Sequence, residues 1–337
     1  MFHQPVLTIA VPTYNMDQCL DKNLATYRDS ALKERLEVLC LNNASADNSK
    51  TIIEAYMHDC PEIFTLVNRP SRGYGGSINQ AMNQARGTYF RIVDADDWVD
   101  TSELIKLVDE LEGCVADIVL TDYQIVNMAT GETTPVRAGG QGIEYGKVFT
   151  GFDGPIRTLP SIHGTTYRTG LLRECGFQMQ DEMFFVDEEY VVLPYLAAKT
   201  VAYYPFDIYR YQVANPAQST SPQNRAKYQT HRESVLKRLI CEYHCKKNAD
   251  PSNPALSYCF ERIRRGVGDH FTTLYMYVED RKEGRRLAKA WQSWLETQAG
   301  TFWPPVKQKA AILHLANLLH LSLPCYQWLK GLYSGQK

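Results

Sequence analysis

Along the first 125 residues, short apolar runs rich in β-branched residues alternate with segments of helical periodicity. That alternation limits the fold more than any other feature of the chain. Val6–Val11, Leu36–Leu41, Ile63–Val67, Tyr89–Val93 and Ile118–Val126 predict five strands. Helices are predicted between them over Gln18–Leu32, Asn48–His58 and Gly76–Ala85, with Asp47 or Asn48 as the cap of the second. Asp100-x-x-Glu103 reads as a capping box that opens a fourth helix, to about Leu111. The order βαβαβαβαβ implies an α/β, Rossmann-like and mostly parallel sheet with helices on both faces. In such sheets ligands sit outside the carboxyl ends of the strands.

The remainder is less regular. Residues 128–160 are rich in Gly, Thr and Pro and predict loops with short strands. Thr165–Cys175 predicts a helix, Ala202–Tyr211 a strand, and everything from about Asn224 a helical region. A length of 337 residues suits two domains. With 44% hydrophobic and 22% charged residues, a disordered, collagen-like or wholly membrane-embedded chain is excluded. A net charge of −2 gives no electrostatic reason to expect nucleic acid as a partner. The nine cysteines are odd in number and include no C-x-x-C, which argues against a disulfide scaffold or zinc ribbon. The opening MFHQPVLTIAV reads as a strand and not a signal peptide, and no run of 18 apolar residues suggests a membrane span.

Charge is unevenly spread. Between Arg281 and Lys337 nine Lys/Arg stand against two acids, a net of +7 that leaves −9 for the preceding 280 residues. Such asymmetry points to an anionic partner for the C-terminal end. Ile312, Leu313, Leu315, Leu318, Leu319, Leu321 and Leu323 lie there, flanked by Trp303, Trp328, Tyr333, Lys307, Lys309 and Lys330. That pattern suits either core packing or a helix lying on an anionic membrane surface.

The polar residues that carry chemistry cluster at strand ends. The first strand ends in Pro12-Thr13-Tyr14-Asn15, the second in Asn42-Asn43-Ala44-Ser45-Ala46-Asp47, and the fourth in Asp94-Ala95-Asp96-Asp97-Trp98. Carboxylates at 94, 96 and 97 would repel one another at a buried strand end unless paired or metal-bound. Mg²⁺ or Mn²⁺ takes one or two carboxylates and completes its shell with substrate phosphate and water. Between strands three and four, Arg72-Gly73-Tyr74-Gly75-Gly76-Ser77-Ile78-Asn79 permits close backbone approach at a helix entry. It is no dinucleotide fingerprint, because Ile78 stands where the third glycine would fall, and it lacks the Walker Lys-Ser/Thr.

The set PTYN, NNASADNS, RGYGGSIN and DADDW, in that order over residues 5–100, resembles family 2 glycosyltransferases of GT-A fold. The resemblance runs more loosely to about residue 221, through HGTTYRTGLL and FFVDEEYVVLPYL. It implies transfer of a sugar from a nucleotide diphosphate donor, usually UDP-linked, with inversion at the anomeric carbon. It places Pro12, Thr13, Tyr14 and Asn15 at the nucleotide. Asn42 and Asn43 stand where the family usually has an Asp pair at uracil, and an Asn carbonyl can still accept from uracil N3–H. Arg72, Gly73, Gly76 and Asn79 match the loop near the nucleotide and donor sugar. Asp94 and Ala95 match the donor side of the D-x-D pattern, Asp96 the first metal ligand, and Asp97 the reserve ligand.

An inverting transfer needs a general base for the acceptor hydroxyl. The resemblance assigns it to Asp187, within Val186-Asp187-Glu188-Glu189-Tyr190, with Glu189 as a second acid on the acceptor side. Val186 departs from the family's leading Glu. His163 is placed beside the acceptor, and Tyr211, Gln218 and Ser219 in a loop over the donor phosphates.

The sequence thus predicts a Mn²⁺- or Mg²⁺-dependent inverting glycosyltransferase that uses a UDP-sugar and a glycan or lipid-linked acceptor, in polysaccharide or cell-envelope biosynthesis. Residues 1–221 would form the catalytic domain, with 1–125 for the donor and 126–221 for the acceptor and base. Residues 222–337 would form a helical subdomain for acceptor binding, membrane contact or homo-oligomerisation. The expected location is the bacterial cytoplasm, at the inner face of the cell membrane in a lipid-linked pathway. Two rival readings are a catalytically inactive sugar-nucleotide-binding or scaffolding subunit and a nucleotidyltransferase. The second lacks the basic glycine-rich loop it would need after strand one, since Met16-Asp17 follows PTYN.

Overall fold

The computed structural model describes residues 4–71, 73–139, 143–152, 160–213 and 221–322. In chain order the strands are β1 (Leu7–Thr13), β2 (Leu36–Asn43), β3 (Phe64–Arg69), β4 (Tyr89–Ile92), β5 (Trp98–Val99), β6 (Ile118–Asn127), β7 (Thr133–Val136), β8 (Val148–Thr150), β9 (Thr165–Arg168) and β10 (Thr200–Val213). The helices are α1 (Leu20–Ala25), α2 (Ser49–Asp59), α3 (Tyr74–Gln84), α4 (Thr101–Leu111), α5 (Thr169–Glu174), α6 (Asp187–Tyr190), α7 (Pro222–Lys227), α8 (Gln229–Ala249), α9 (Leu256–Met276), α10 (Arg281–Gln298) and α11 (Lys307–Leu318). By internal contacts they form two compact units, Met1–Asn215 with Ala249–Tyr258, and Pro216–Asn248 with Cys259–Lys337.

The first unit is built on one sheet of order β3-β2-β1-β4-β9-β6-β10-β5, with β7 beside β6 and β8 beside β10. β1 pairs in parallel with both β2 and β4, β2 with β3, and β10 with β6. Both β1 and β2 are buried along their whole length, which is why they read as unbroken apolar runs. Leu7, Ile9 and Val11 of β1 join Leu36, Val38 and Cys40 of β2 in one core cluster with Leu20 and Leu24 of α1, Ile53 of α2, and Leu104 and Leu107 of α4. Helix α3 packs on β1 and β2 through its own buried Ile78, Ala81 and Met82, and these stand outside that cluster. The period-two alternation of the strands therefore serves two helical layers.

Buried Glu37 on β2 is held by Thr8 Oγ1 at 2.7 Å and by the backbone N–H and Nε of Arg86 at 2.8 and 2.6 Å. An isolated carboxylate there would be costly; paired and hydrogen-bonded, it ties β2 to the turn before β4.

Two predicted helices differ from the structure. Gln18–Leu32 is the short α1 followed by a 3₁₀ turn at Ser30–Leu32. Asp29 is extended and its carboxylate caps the N–H of Ala31 at 2.8 Å, so the chain is recaptured as a turn before a second helical stretch can form. Thr165–Cys175 is strand β9 followed by α5. β9 runs antiparallel between β4 and β6. Its polar residues are buried because Arg91, itself without exposure, donates to Thr166 Oγ1 and Thr121 Oγ1 at 3.0 and 3.1 Å and to the carbonyl of His163.

The second unit is helical. Trp291 of α10 is buried, whereas Ile312, Leu315, Leu318 and Leu319 on and beside α11 are exposed. No helix among the described residues is long and apolar enough to cross a membrane.

Candidate functional site

Because β1 lies between β2 and β4, with Thr13 opposite Asn42, the three polar strand ends are neighbours. Side chains stitch them together. Asn15, at φ +52°, gives its N–H to Ser45 Oγ at 3.1 Å and accepts from the N–H of Ala46 at 2.8 Å. Pro12 and Thr13 are buried, and Thr13 Oγ1 donates back to the Val11 carbonyl at 3.2 Å. Asn42 donates to Asn68 Oδ1 at 3.0 Å and accepts from the N–H of Ser45 at 3.2 Å; Asn43 Oδ1 accepts from Ser77 Oγ at 2.5 Å. Both asparagines are buried and hold the second turn against β3 and α3.

The acidic turn after β4 is the most polarised part of the site. Asn23 of α1 reaches across to donate to the carbonyls of Asp94 and Asp97 at 3.0 and 2.9 Å. Tyr74 donates to Asp94 Oδ1 at 2.9 Å. Asp97, 2% exposed, accepts from Tyr209 OH at 2.6 Å and from the Gln212 N–H at 2.7 Å. Burial, followed by the charge of Asp96, pushes the Asp94 carboxyl up to about 7. Burial, followed by the charges of Asp94 and Asp96, pushes Asp97 up to about 9. Asp96 is raised by burial, and Ala95 between the acids points into the core cluster.

Carboxylates raised in this way gain from a cation. Asp94, Asp97 and His163 each offer a ligand atom, and the three atoms lie within 4.8 Å of one another. Two carboxylate oxygens with one imidazole suit a divalent transition cation such as Mn²⁺ better than Mg²⁺, which takes oxygen ligands. The predicted first ligand, Asp96, is half-buried in the same turn and stands outside that trio.

The glycine-rich loop has an unexpected neighbour. Asp181 accepts from the N–H of Gly76 at 2.9 Å and lies 3.6 Å from Arg69. Arg69 in turn donates to the Gly73 carbonyl and Ser77 Oγ at 2.8 and 2.7 Å. A Cβ on Gly73 would meet Asp181 Oδ1 at 1.6 Å, on Gly76 Asp181 Oδ2 at 2.2 Å, and on Gly75 the Gln180 carbonyl at 2.0 Å. Asn79 exchanges two hydrogen bonds with the backbone of Met179, both 2.8 Å. The glycines and Asn79 thus seat residues 179–181. None of the three glycines has positive φ; close approach is what requires them.

That seated segment leads into α6. Glu189, fully buried, accepts from the N–H and Nε2 of Gln180, each at 2.8 Å, and so anchors it. Asp187 at the start of α6 is exposed, yet near enough for its charge to raise both Asp94 and Tyr74. His163 stacks on Tyr211 with ring centroids 4.0 Å apart, lies 4.7 Å from Tyr209, and has Nδ1 3.3 Å from Ser161 Oγ.

A family model, glycosyl transferase family 2, matches residues 8–176, half of the chain. The chain belongs to this family. Among named relatives, EpsH of Bacillus subtilis strain 168, named as a glycosyltransferase, is 22% identical over 215 residues, 62% of this chain and 61% of EpsH. EpsJ of the same organism, an uncharacterized glycosyltransferase by name, is 30% identical over 118 residues, 34% of this chain and 33% of EpsJ. The chain therefore spans less than two thirds of either curated relative. Among solved structures, Staphylococcus aureus TarS 1–349 in complex with UDP superposes with a TM-score of 0.61 at 17% identity, covering 93% of this chain and 91% of that one. The likeness is one of fold, and it covers the helical C-terminal region as well as the sheet.

Within this glycosyltransferase fold, the structure brings together Asp94, Asp97, Asp187 and His163, and close to them Tyr74, Tyr209 and Tyr211. Glu189, Asn79 and the glycines are joined to one another through residues 179–181. Tyr14 is half-buried beside the first turn. Arg72, Gln218, Ser219, Leu323, Trp328, Lys330 and Tyr333 lie outside the described residues. Sequence reasoning missed Tyr74, Tyr209, Asn23 and Asp181. The i, i+2 spacing of Tyr209 and Tyr211 on a strand was the available signal for an aromatic pair facing the acidic turn.

Proposed function

We propose that this protein is a divalent-metal-dependent, inverting glycosyltransferase that moves a sugar from a UDP-sugar to a hydroxyl of a glycan or lipid-linked acceptor. The observation that carries the reading is the exposed Asp187, whose charge reaches Asp94 in the acidic turn Asp94–Asp97. Family membership and the UDP complex of the TarS neighbour support the donor class.

In this reading Pro12, Thr13, Tyr14, Asn15, Asn42 and Asn43 border the nucleotide. Asp187 takes the acceptor hydroxyl proton while that oxygen attacks the anomeric carbon from the face opposite the departing diphosphate, which inverts the configuration. Glu189 fixes the approach of α6 through Gln180. Half-buried Tyr211, stacked on His163 and backed by buried Tyr209, offers an aromatic face suited to the apolar side of a sugar. Asp97, Asp94 and His163, with Asp96 from the same turn, would hold Mn²⁺ or Mg²⁺. When bound, the cation neutralises charge on the leaving diphosphate.

In this reading residues 1–221 carry catalysis and the region after them, helical from Pro222 to Leu318 among the described residues, has an accessory role. The exposed apolar side chains at 312, 315, 318 and 319, in a region of net positive charge, support contact with an anionic membrane at the cytoplasmic face. Asp187→Asn tests the proposal. UDP binding within twofold of wild type, with transfer from the UDP-sugar reduced about 10³-fold, supports it. Unchanged transfer contradicts it.

A further inference from the structure

The C-terminal helical unit contains an open cavity of about 300 Å³ lined by Arg264, Arg265, Gly268, Asp269, Pro305, Val306 and Lys309. Arg265, Gly268 and Asp269 share one face of α9 by their i, i+3, i+4 spacing. Lys309 of α11 crosses that face and reaches Asp269 Oδ1 at 2.8 Å. Gly268 gives it room, since a Cβ there would sit 3.3 Å from Lys309 Cδ. Arg225 of α7 donates to the Asp269 carbonyl at 3.4 Å, while its buried Nε–H finds no acceptor among the described residues. Arg264 and Arg265 both lean on Glu261, at 2.6 and 2.9 Å. Burial alone would raise the Asp269 carboxyl; Lys309, followed by Arg232 and Arg225, holds it below its usual range. Three cations, Arg264, Arg265 and Lys309, line the cavity against Asp269 and the adjoining Glu261, an excess of one positive charge.

We propose that this cavity binds a phosphate group, as a phosphomonoester or phosphodiester. Guanidinium forks suit tetrahedral oxyanions, and the oxygens of one phosphate can be shared by Arg264, Arg265 and Lys309 on the two facing helices. The volume takes one or two such groups and is too small for a nucleic-acid duplex. Of the net +7 segment from Arg281 to Lys337, Lys309 is the charge that reaches this cavity. It rests on the C-terminal unit alone and needs nothing from the donor site. The phosphate could be carried by a soluble phosphodiester chain or by a lipid headgroup.

The test uses the full chain in chelator, with inorganic phosphate, a glycerol phosphate oligomer, and phosphatidylcholine vesicles with or without phosphatidylglycerol as probes. The expected result is that R264Q/R265Q/K309Q weakens binding about tenfold or more. Arg265→Glu, whose side chain is 58% exposed and so carries little risk to folding, should weaken it in the same direction. Loss confined to the oligomer identifies a soluble carrier, and loss confined to phosphatidylglycerol vesicles a headgroup. Wild type that binds every probe no more tightly than both variants overturns the proposal. UDP binding with Mn²⁺ is measured on the same proteins; its retention keeps failure here distinct from failure of the donor reading.

Discussion

The Tyr209 hydroxyl stands between two parts of the acidic turn, donating to Asp97 Oδ2 at 2.6 Å and accepting from the Asp94 N–H at 3.1 Å. One phenol on β10 thus fixes both the backbone and a carboxylate of a turn that follows β4. Its own ionisation is pushed well above the ordinary tyrosine range, first by burial and then by Asp97 and Asp94, so it remains a donor.

Tyr209→Phe removes that bridge and leaves a buried N–H without its acceptor. We expect a loss of about 1–3 kcal/mol in urea unfolding, together with weaker Mn²⁺ binding. Stability and metal affinity equal to wild type would show that the turn holds its shape without the hydroxyl.

The seating of residues 179–181 on the glycines predicts a pattern of rescue. Gly76→Ala should cost about 1–3 kcal/mol by overpacking against Asp181 and Arg69. Adding Asp181→Ala should recover part of it, because the side chain in the way is gone. The same second change should not rescue Gly75→Ala, whose Cβ meets the Gln180 backbone carbonyl. Thermal melts of the five proteins check this. Equal rescue of both would place the conflict elsewhere.

Buried His270 makes the second unit sensitive to acid. Burial, followed by the charges of Arg232, Arg225 and Lys237, pushes it down to about 3, although Glu233 Oε2 lies 4.0 Å from its Nε2. The ring packs edge-on against Trp291 at 5.2 Å. The unfolded chain binds a proton near pH 6.5 that the folded chain refuses, so stability falls as pH drops from about 6.5 towards 3. Between pH 7 and 5 this group contributes a loss of about 2 kcal/mol. His270→Phe should shrink the pH 7 to pH 5 difference in unfolding free energy by that amount. An unchanged pH dependence would exclude His270 as its source.

Much of the first unit was legible because β1, β2 and β4 are buried along their whole length. Leu36–Leu41 predicted β2, and the structure extends it only to Asn43. Asp100 does cap α4, accepting from the Glu103 N–H at 3.1 Å. The reciprocal half of the capping box is absent, since the Asp100 N–H goes to the Ile208 carbonyl and Glu103 accepts from the Asp207 N–H. Strand β9 was illegible because Thr165 and Thr166 are polar and buried, a combination made tolerable by the Ser161 carbonyl for Thr165 and, for Thr166, by Arg91 of the adjacent strand β4, 75 residues away in sequence. The glycine loop was legible as a place of close approach. Its partner, Asp181, lies 105 residues from Gly76, and no local pattern encodes such a pairing.

A metal-assisted nucleotide-sugar site is proposed at the carboxyl ends of β1, β2 and β4. Titration calorimetry with UDP, GDP, CDP and TDP, in Mn²⁺ and in chelator, tests it most directly. The expected result is selective UDP binding in Mn²⁺, weakened about tenfold or more by chelator, with the metal effect lost in Asp97→Asn. Binding of none of the four nucleotides, or UDP binding indifferent to chelator, would contradict it.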